Sequence, residues 1–225
     1  MSDATILTDM YPGKENEIWT PCIYEFFCQN KPQLQLPISS CIESPAPQGP
    51  WYQSRKPSSY LKIDGDIIEH PVTDEFLTKI GKNHELNLIE DPDRYLKGND
   101  IAGITPDIIL IKPEKKGVFI IENKPYGSGP SSFYGNQGPG GAYIEFVLWL
   151  NRKKIPCEYI VICPIGWTPR EYQKEIEIQN QMQRFFGIIF LEDIFEQMSK
   201  YKFSYPVIKE QWKDYTEKGA DYDYT

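Results

Sequence analysis

The sequence predicts an α/β domain, a mixed β-sheet with helices on its faces. Three observations carry this. Short β-branched apolar runs recur at residues 107–112 (DIILIK), 117–124 (GVFIIENK), 158–163 (EYIVIC) and 187–191 (GIIFL), each the length of a buried strand. Stretches with helical spacing of apolar residues stand between and after them, as at 139–151, 169–186 and 194–202. Only Pro113, Glu114, Lys115 and Lys116 separate the first two runs, which makes those a hairpin. Helix, strand, hairpin, helix, strand, helix, strand is the order of an α/β architecture.

Taken along the chain, a short helix is expected near residues 17–29, followed by a Pro/Ser/Gln stretch at 39–57. Residues 60–69 (YLKIDGDIIE) suggest a hairpin turning at Asp64 and Gly65, because Asp-Gly supplies the positive φ angles of tight turns. Thr73 is the expected N-cap of a helix whose apolar face carries Phe76, Leu77 and Ile80 and which Gly81 would end. Residues 86–90 read as a further strand. The reading divides the chain into an N-terminal extension packed on the core at 1–70, an α/β domain at 71–209 and an acidic tail at 210–225.

At 225 residues the chain is long enough for one well-buried domain. A hydrophobic fraction of 40% excludes a disordered chain, and the apolar runs are too short to span a bilayer, so no membrane partner is expected. The first residues show no basic region followed by an apolar stretch, so a cytoplasmic location is expected. Five cysteines without CxxC spacing argue against a zinc or iron–sulfur site and for buried thiols. The net charge of -8 runs against phosphate binding. Residues 1–50 hold six acids and two bases and residues 210–225 five and two, which leaves 21 acids and 20 bases between.

The chemistry is carried by the hairpin. Symmetry about the Glu114–Lys115 bond sets Lys112 opposite Gly117, Ile111 opposite Val118, Ile109 opposite Ile120 and Asp107 opposite Glu122. Opposed residues have Cβ atoms roughly 4.5–5.5 Å apart, where like charges destabilise a sheet. A divalent cation resolves the conflict, since Mg²⁺ takes carboxylate oxygens and completes its octahedron with water. Lys124 lies two residues beyond Glu122 and projects from the same face, while Asn123 points the other way. Two acids and an ammonium group so placed suit metal-assisted phosphodiester hydrolysis by one or two ions.

Pro106-Asp107, fourteen residues, then Glu122-Asn123-Lys124 resembles the signature of the PD-(D/E)XK nucleases. The order of elements over residues 73–163 resembles that superfamily's core. The resemblance implies a restriction-endonuclease-like fold and a Mg²⁺- or Mn²⁺-dependent nuclease, an endonuclease before an exonuclease, acting on nucleic acid, on DNA before RNA, with a tendency to form homodimers. It implies that Asp107 and Glu122 hold the metal with the Asn123 carbonyl, and that Lys124 orients the attacking water. Glu75 on the preceding helix is the implied further acid, with Glu85 and Glu17 in reserve. One subgroup adds Gln-x-x-x-Tyr on the following helix; here Gln137 and Tyr143 are six apart, a departure from that spacing.

Residues 125–141 form a Gly/Ser/Pro-rich loop whose Phe133 and Tyr134 could stack on bases. Gln137, Tyr143 and Tyr134 are therefore substrate-binding candidates. His84 with Asp107 and Glu122 would make a manganese-favouring set, as in some viral endonucleases of the superfamily; a surface histidine at a helix end is the plainer reading, and His70 has less claim. Tyr143, Phe146, Val147 and Leu150 form a core-facing stripe first. The rival reading of the whole chain is an inactive nuclease-fold module that binds protein or nucleic acid, which the acidic balance favours.

Overall fold

The computed structural model describes residues 19–39, 57–90, 105–123, 139–163 and 186–204. They form an α/β fold whose centre is a five-stranded mixed sheet. The strands are β1 (Gln35–Ile38), β2 (Ser59–Lys62), β3 (Asp66–Glu69), β4 (Ile108–Ile111), β5 (Val118–Asn123), β6 (Cys157–Cys163) and β7 (Phe186–Phe190). The helices are α1 (Thr20–Asn30), α2 (Thr73–His84), α3 (Pro139–Arg152) and α4 (Leu191–Lys200).

The central sheet has the order β3-β4-β5-β6-β7. Its first two pairings are antiparallel and its last two parallel. β4 is buried at every position and β6 at all but Glu158, the mark of strands covered on both faces. One face meets α2 and α3 through Phe76, Leu77, Ile80, Phe146, Val147 and Leu150. The other meets α1, α4 and the small β1-β2 sheet through Ile23, Phe26, Phe27, Leu34, Leu36 and Ile194. Each buried Ile, Leu or Phe contributes roughly 1.5–3 kcal/mol, and alternation along β4 and β5 divides them between the two layers.

The hairpin turn explains its own register. Glu114 and Lys115 both have positive φ, 55° and 62°, as a turn matched to strand twist requires. Lys116 N–H donates to the Pro113 carbonyl at 3.2 Å and Lys112 N–H to Gly117 at 2.9 Å. Ile111 therefore pairs with Val118 and Ile109 with Ile120, as the symmetric reading expects.

Other expectations need correction. Residues 60–69 are not a hairpin: β2 pairs with β1 and β3 with β4, so the chain leaves one sheet for the other at Asp64-Gly65. Gly65 is needed for closeness rather than for a turn, since a Cβ there would lie 2.1 Å from the Ile111 carbonyl oxygen. Because β3 edges the central sheet and β1 covers its face, residues before 70 supply part of the core. Thr73 opens α2 but Val72 is its N-cap, and the helix continues through Gly81 to His84. Gly81 admits the Leu86 carbonyl, which a Cβ would meet at 2.3 Å, while Glu85 takes the left-handed position at φ 60°. Residues 86–90 form no strand; Leu88 simply plugs the same core layer. The helix expected at 169–186 lies outside the described residues, apart from Phe186, which opens β7.

Candidate active site

β5, β6 and β7 are parallel, and Asp107 immediately precedes β4, which runs the opposite way beside β5. Asp107 and Glu122 thus lie at the carboxyl end of the parallel strands, where α/β sheets place their ligand sites. Extending the β4-β5 register by one residue sets the two acids opposite each other. Ile109 and Ile120, each two residues away in its strand, both belong to the layer under α2 and α3, so strand alternation turns both acids to that face.

Both acids are removed from solvent: Asp107 is 7% exposed and Glu122 4%. Among the described residues they are the two buried carboxylates. Two unit charges about 5 Å apart at an effective dielectric of about 20 repel by about 3 kcal/mol, a cost that the surroundings of the pair must offset.

Their immediate surroundings hold them in place. The backbone N–H of Asn123 donates to Asp107 Oδ2 at 2.6 Å, which links the acid of β4 to the end of β5. Tyr143, from the first half of α3, donates its hydroxyl to the Thr105 carbonyl at 2.8 Å. Burial, then the nearby Glu122 charge, pushes that hydroxyl well above the usual tyrosine range. The Tyr143 ring stacks on Tyr159 of β6, with centroids 5.7 Å apart and planes at 26°. The Asn123 side chain, on the opposite face from its neighbour Glu122, is fully buried.

The donor set fits a hard divalent cation, because Mg²⁺ is commonly held by one or two protein carboxylates with water in the remaining positions. Among the described residues no three His, Cys, Asp or Glu side chains converge as a metal site. Asp107 and Glu122 would supply the protein's share, with the phenol of Tyr143 and a backbone N–H behind them.

The remaining sequence candidates are distributed differently. Glu75 stands on the exposed side of α2, its carboxylate 49% exposed and 3.7 Å from Lys79 in the next turn, so the structure does not bring it to the pair. Glu85 is the left-handed residue closing α2 and reaches Lys115 at 3.7 Å. His84 also sits at the turn end of the hairpin, where burial and then Lys115 hold its imidazole below the usual range. That end is opposite to the acids, so the manganese-type set with His84 is not assembled. His70 adjoins the site through its backbone, its N–H donating to the Asp107 carbonyl at 2.9 Å. Lys124, Tyr134, Gln137 and Glu17 lie outside the described residues.

Two of the buried cysteines are poor nucleophiles. Burial pushes the Cys22 thiol up to about 12 and Cys157 well above its ordinary value, so neither is a nucleophile at neutral pH. None of the described helices is long and apolar enough to cross a membrane. No protein-family model, curated protein or solved structure matches the chain.

Proposed function

We propose that the protein is a Mg²⁺- or Mn²⁺-dependent nuclease with a restriction-endonuclease-like core, cutting DNA in preference to RNA. The observation that carries this reading is the opposed, buried pair Asp107 and Glu122 on one face at the carboxyl end of the parallel strands. The succession α2, β4-β5 hairpin, α3, β6 supports it, being the element order of the PD-(D/E)XK core that the Pro106-Asp107 and Glu122-Asn123-Lys124 motif resembles.

On this reading Asp107 and Glu122 hold the cation, the Asn123 N–H fixes Asp107, and Lys124 orients the attacking water beside Glu122. The bound cation supplies positive charge to the scissile phosphate and acidifies water. The acids' burial keeps their oxygens dry and ordered before substrate arrives, which strengthens their electrostatic action.

The test is incubation of the purified protein with supercoiled plasmid and with single-stranded DNA and RNA, with Mn²⁺ or with chelator. Cutting that requires Mn²⁺ and falls at least 100-fold in both Glu122→Ala and Lys124→Ala is the expected result. Metal-free cutting, or activity kept by either variant, refutes the assignment. Absence of both cutting and Mn²⁺ binding by calorimetry favours the inactive binding module, the reading that the net charge of -8 supports.

A further inference from the structure

Two basic runs that stand apart in the sequence, Lys115-Lys116 and Arg152-Lys153-Lys154, become neighbours in the fold. The parallel pairing of β5 with β6 joins them: Val118 N–H donates to the Pro156 carbonyl at 2.7 Å, and a Cβ on Gly117 would lie 2.9 Å from the same oxygen. The last turn of α2 comes to the same place and adds Lys82, because the Asn83 amide donates to the Lys112 carbonyl at 3.1 Å. The hairpin turn and the C-termini of α2 and α3 thus gather these cations at the end of the sheet away from Asp107 and Glu122. Glu85 and Glu114 stand among them, 3.7 Å from Lys115 and 3.0 Å from Lys116, and leave a positive excess. Asp64 pairs with Lys112, whose ammonium lies over Phe119 in the opposite layer, and Glu158, paired with Phe119, faces the same way.

Folding accounts for part of this surface. Lys82 and Arg152 occupy the last turns of their helices, where the dipole favours cations. Lys115, Lys116 and Lys154 lie beyond any helix and are exposed. Lys115 and Lys154 both hold a φ of 62°, a left-handed backbone that Gly or Asn adopts at less cost. Lysine at two such positions on one surface marks the charged side chain as what is retained.

We propose that this end of the sheet is a docking surface for the phosphate backbone of a nucleic acid, set apart from the acid pair by the length of β5, about 20 Å. The choice of nucleic acid as occupant rests on the nuclease reading above. In a chain of net charge -8, phosphate contact requires cations gathered in one place, and this surface gathers them. Without metal the acid pair repels phosphate, so binding in chelator reports on the basic end.

The experiment is fluorescence anisotropy of a short labelled DNA duplex with the full chain in chelator, over a series of NaCl concentrations. Lys115→Asn combined with Lys154→Asn removes two charges and suits the left-handed backbone. Its Kd is expected to weaken about tenfold at low salt, and the slope of log Kd against log salt to fall by about 2. An unchanged Kd and slope overturns the proposal. So does wild-type protein that binds labelled poly-glutamate but not DNA, which makes the surface a dock for an acidic protein. Should the double variant not fold, Lys82→Gln with Lys116→Gln is read the same way. DNA binding lost in the variant, with no Mn²⁺-dependent cutting by the wild type, supports the surface and refutes the nuclease reading. Mn²⁺-dependent cutting with binding unchanged in the variant does the reverse.

Discussion

The two ends of the β4-β5 hairpin treat charge in opposite ways. At the turn end, Lys112 donates to the Lys62 carbonyl and pairs with Asp64, Lys115 meets Glu85, and Lys116 meets Glu114 at 3.0 Å. Each cation there has an acid, and most of these side chains face solvent. At the open end, two acids are placed opposite each other and withdrawn from water. Among the described residues the cations of this element gather at one end and the two buried acids at the other, an asymmetry that suits a cation site at the acidic end.

The contrast can be broken most directly at the open end. Glu122→Gln keeps the shape but removes one charge. In chelator, its urea unfolding free energy is expected to exceed that of the wild type by about 1–3 kcal/mol, the scale of the repulsion. An equal loss instead would mean that the paired charges stabilise the fold.

At the turn end the sign reverses. Lys112 is 11% exposed and also lies over the Phe119 ring at 5.5 Å, so Lys112→Met leaves its acid uncompensated and should cost about 2 kcal/mol. Lys115→Ala, at an exposed pair, should change stability by less than about 0.5 kcal/mol. Comparable losses in the two variants would erase the distinction between a partly buried pair and a surface one.

The smallest effect concerns Glu158, next to the turn on β6. Burial raises its carboxyl above the ordinary range, and Lys112 opposes the rise. A carboxyl raised on folding holds its proton more tightly in the folded state, so its contribution is full below about pH 4.3 and is lost as pH climbs through the raised value. Chemical denaturation across that interval should therefore show a decline with pH that is flatter in Glu158→Gln.

How far the sequence disclosed this depended on local constraint. The β4-β5 register was legible because apolar runs flank a turn of four residues, leaving one alignment that buries both strands. The strand at β6 and the helix at α3 were legible from composition and period. β1 was not: Gln35-Leu36-Pro37-Ile38 is four residues long and contains a proline, too little pattern to separate from loop. The false hairpin at Asp64-Gly65 shows the limit of turn chemistry, because the glycine serves a close approach to Ile111 that only the assembled sheets create.

Of the site, the opposition of Asp107 and Glu122 followed from counting. Their burial and the bond from Tyr143 to Thr105 did not. The stripe Tyr143, Phe146, Val147, Leu150 reads as core, and the ring is core. The missed signal was its hydroxyl, which a buried tyrosine must satisfy and which the Thr105 carbonyl takes at the end of the sheet that holds the acids. Glu75 was selected by its place on the preceding helix, but Phe76, Leu77 and Ile80 turn the opposite side of α2 inward.

The outer edge of β7 is stitched shut at one rung. Ser39 gives its N–H to the Ile188 carbonyl and receives the Ile188 N–H, both at 2.8 Å. Self-association by strand addition along that border would have to unzip this rung before a new ladder could form. Among the described residues β3 forms the opposite border, and its four positions begin and end with Asp66 and Glu69. Two copies meeting there in antiparallel fashion would bring acid toward acid, which disfavours pairing along that border.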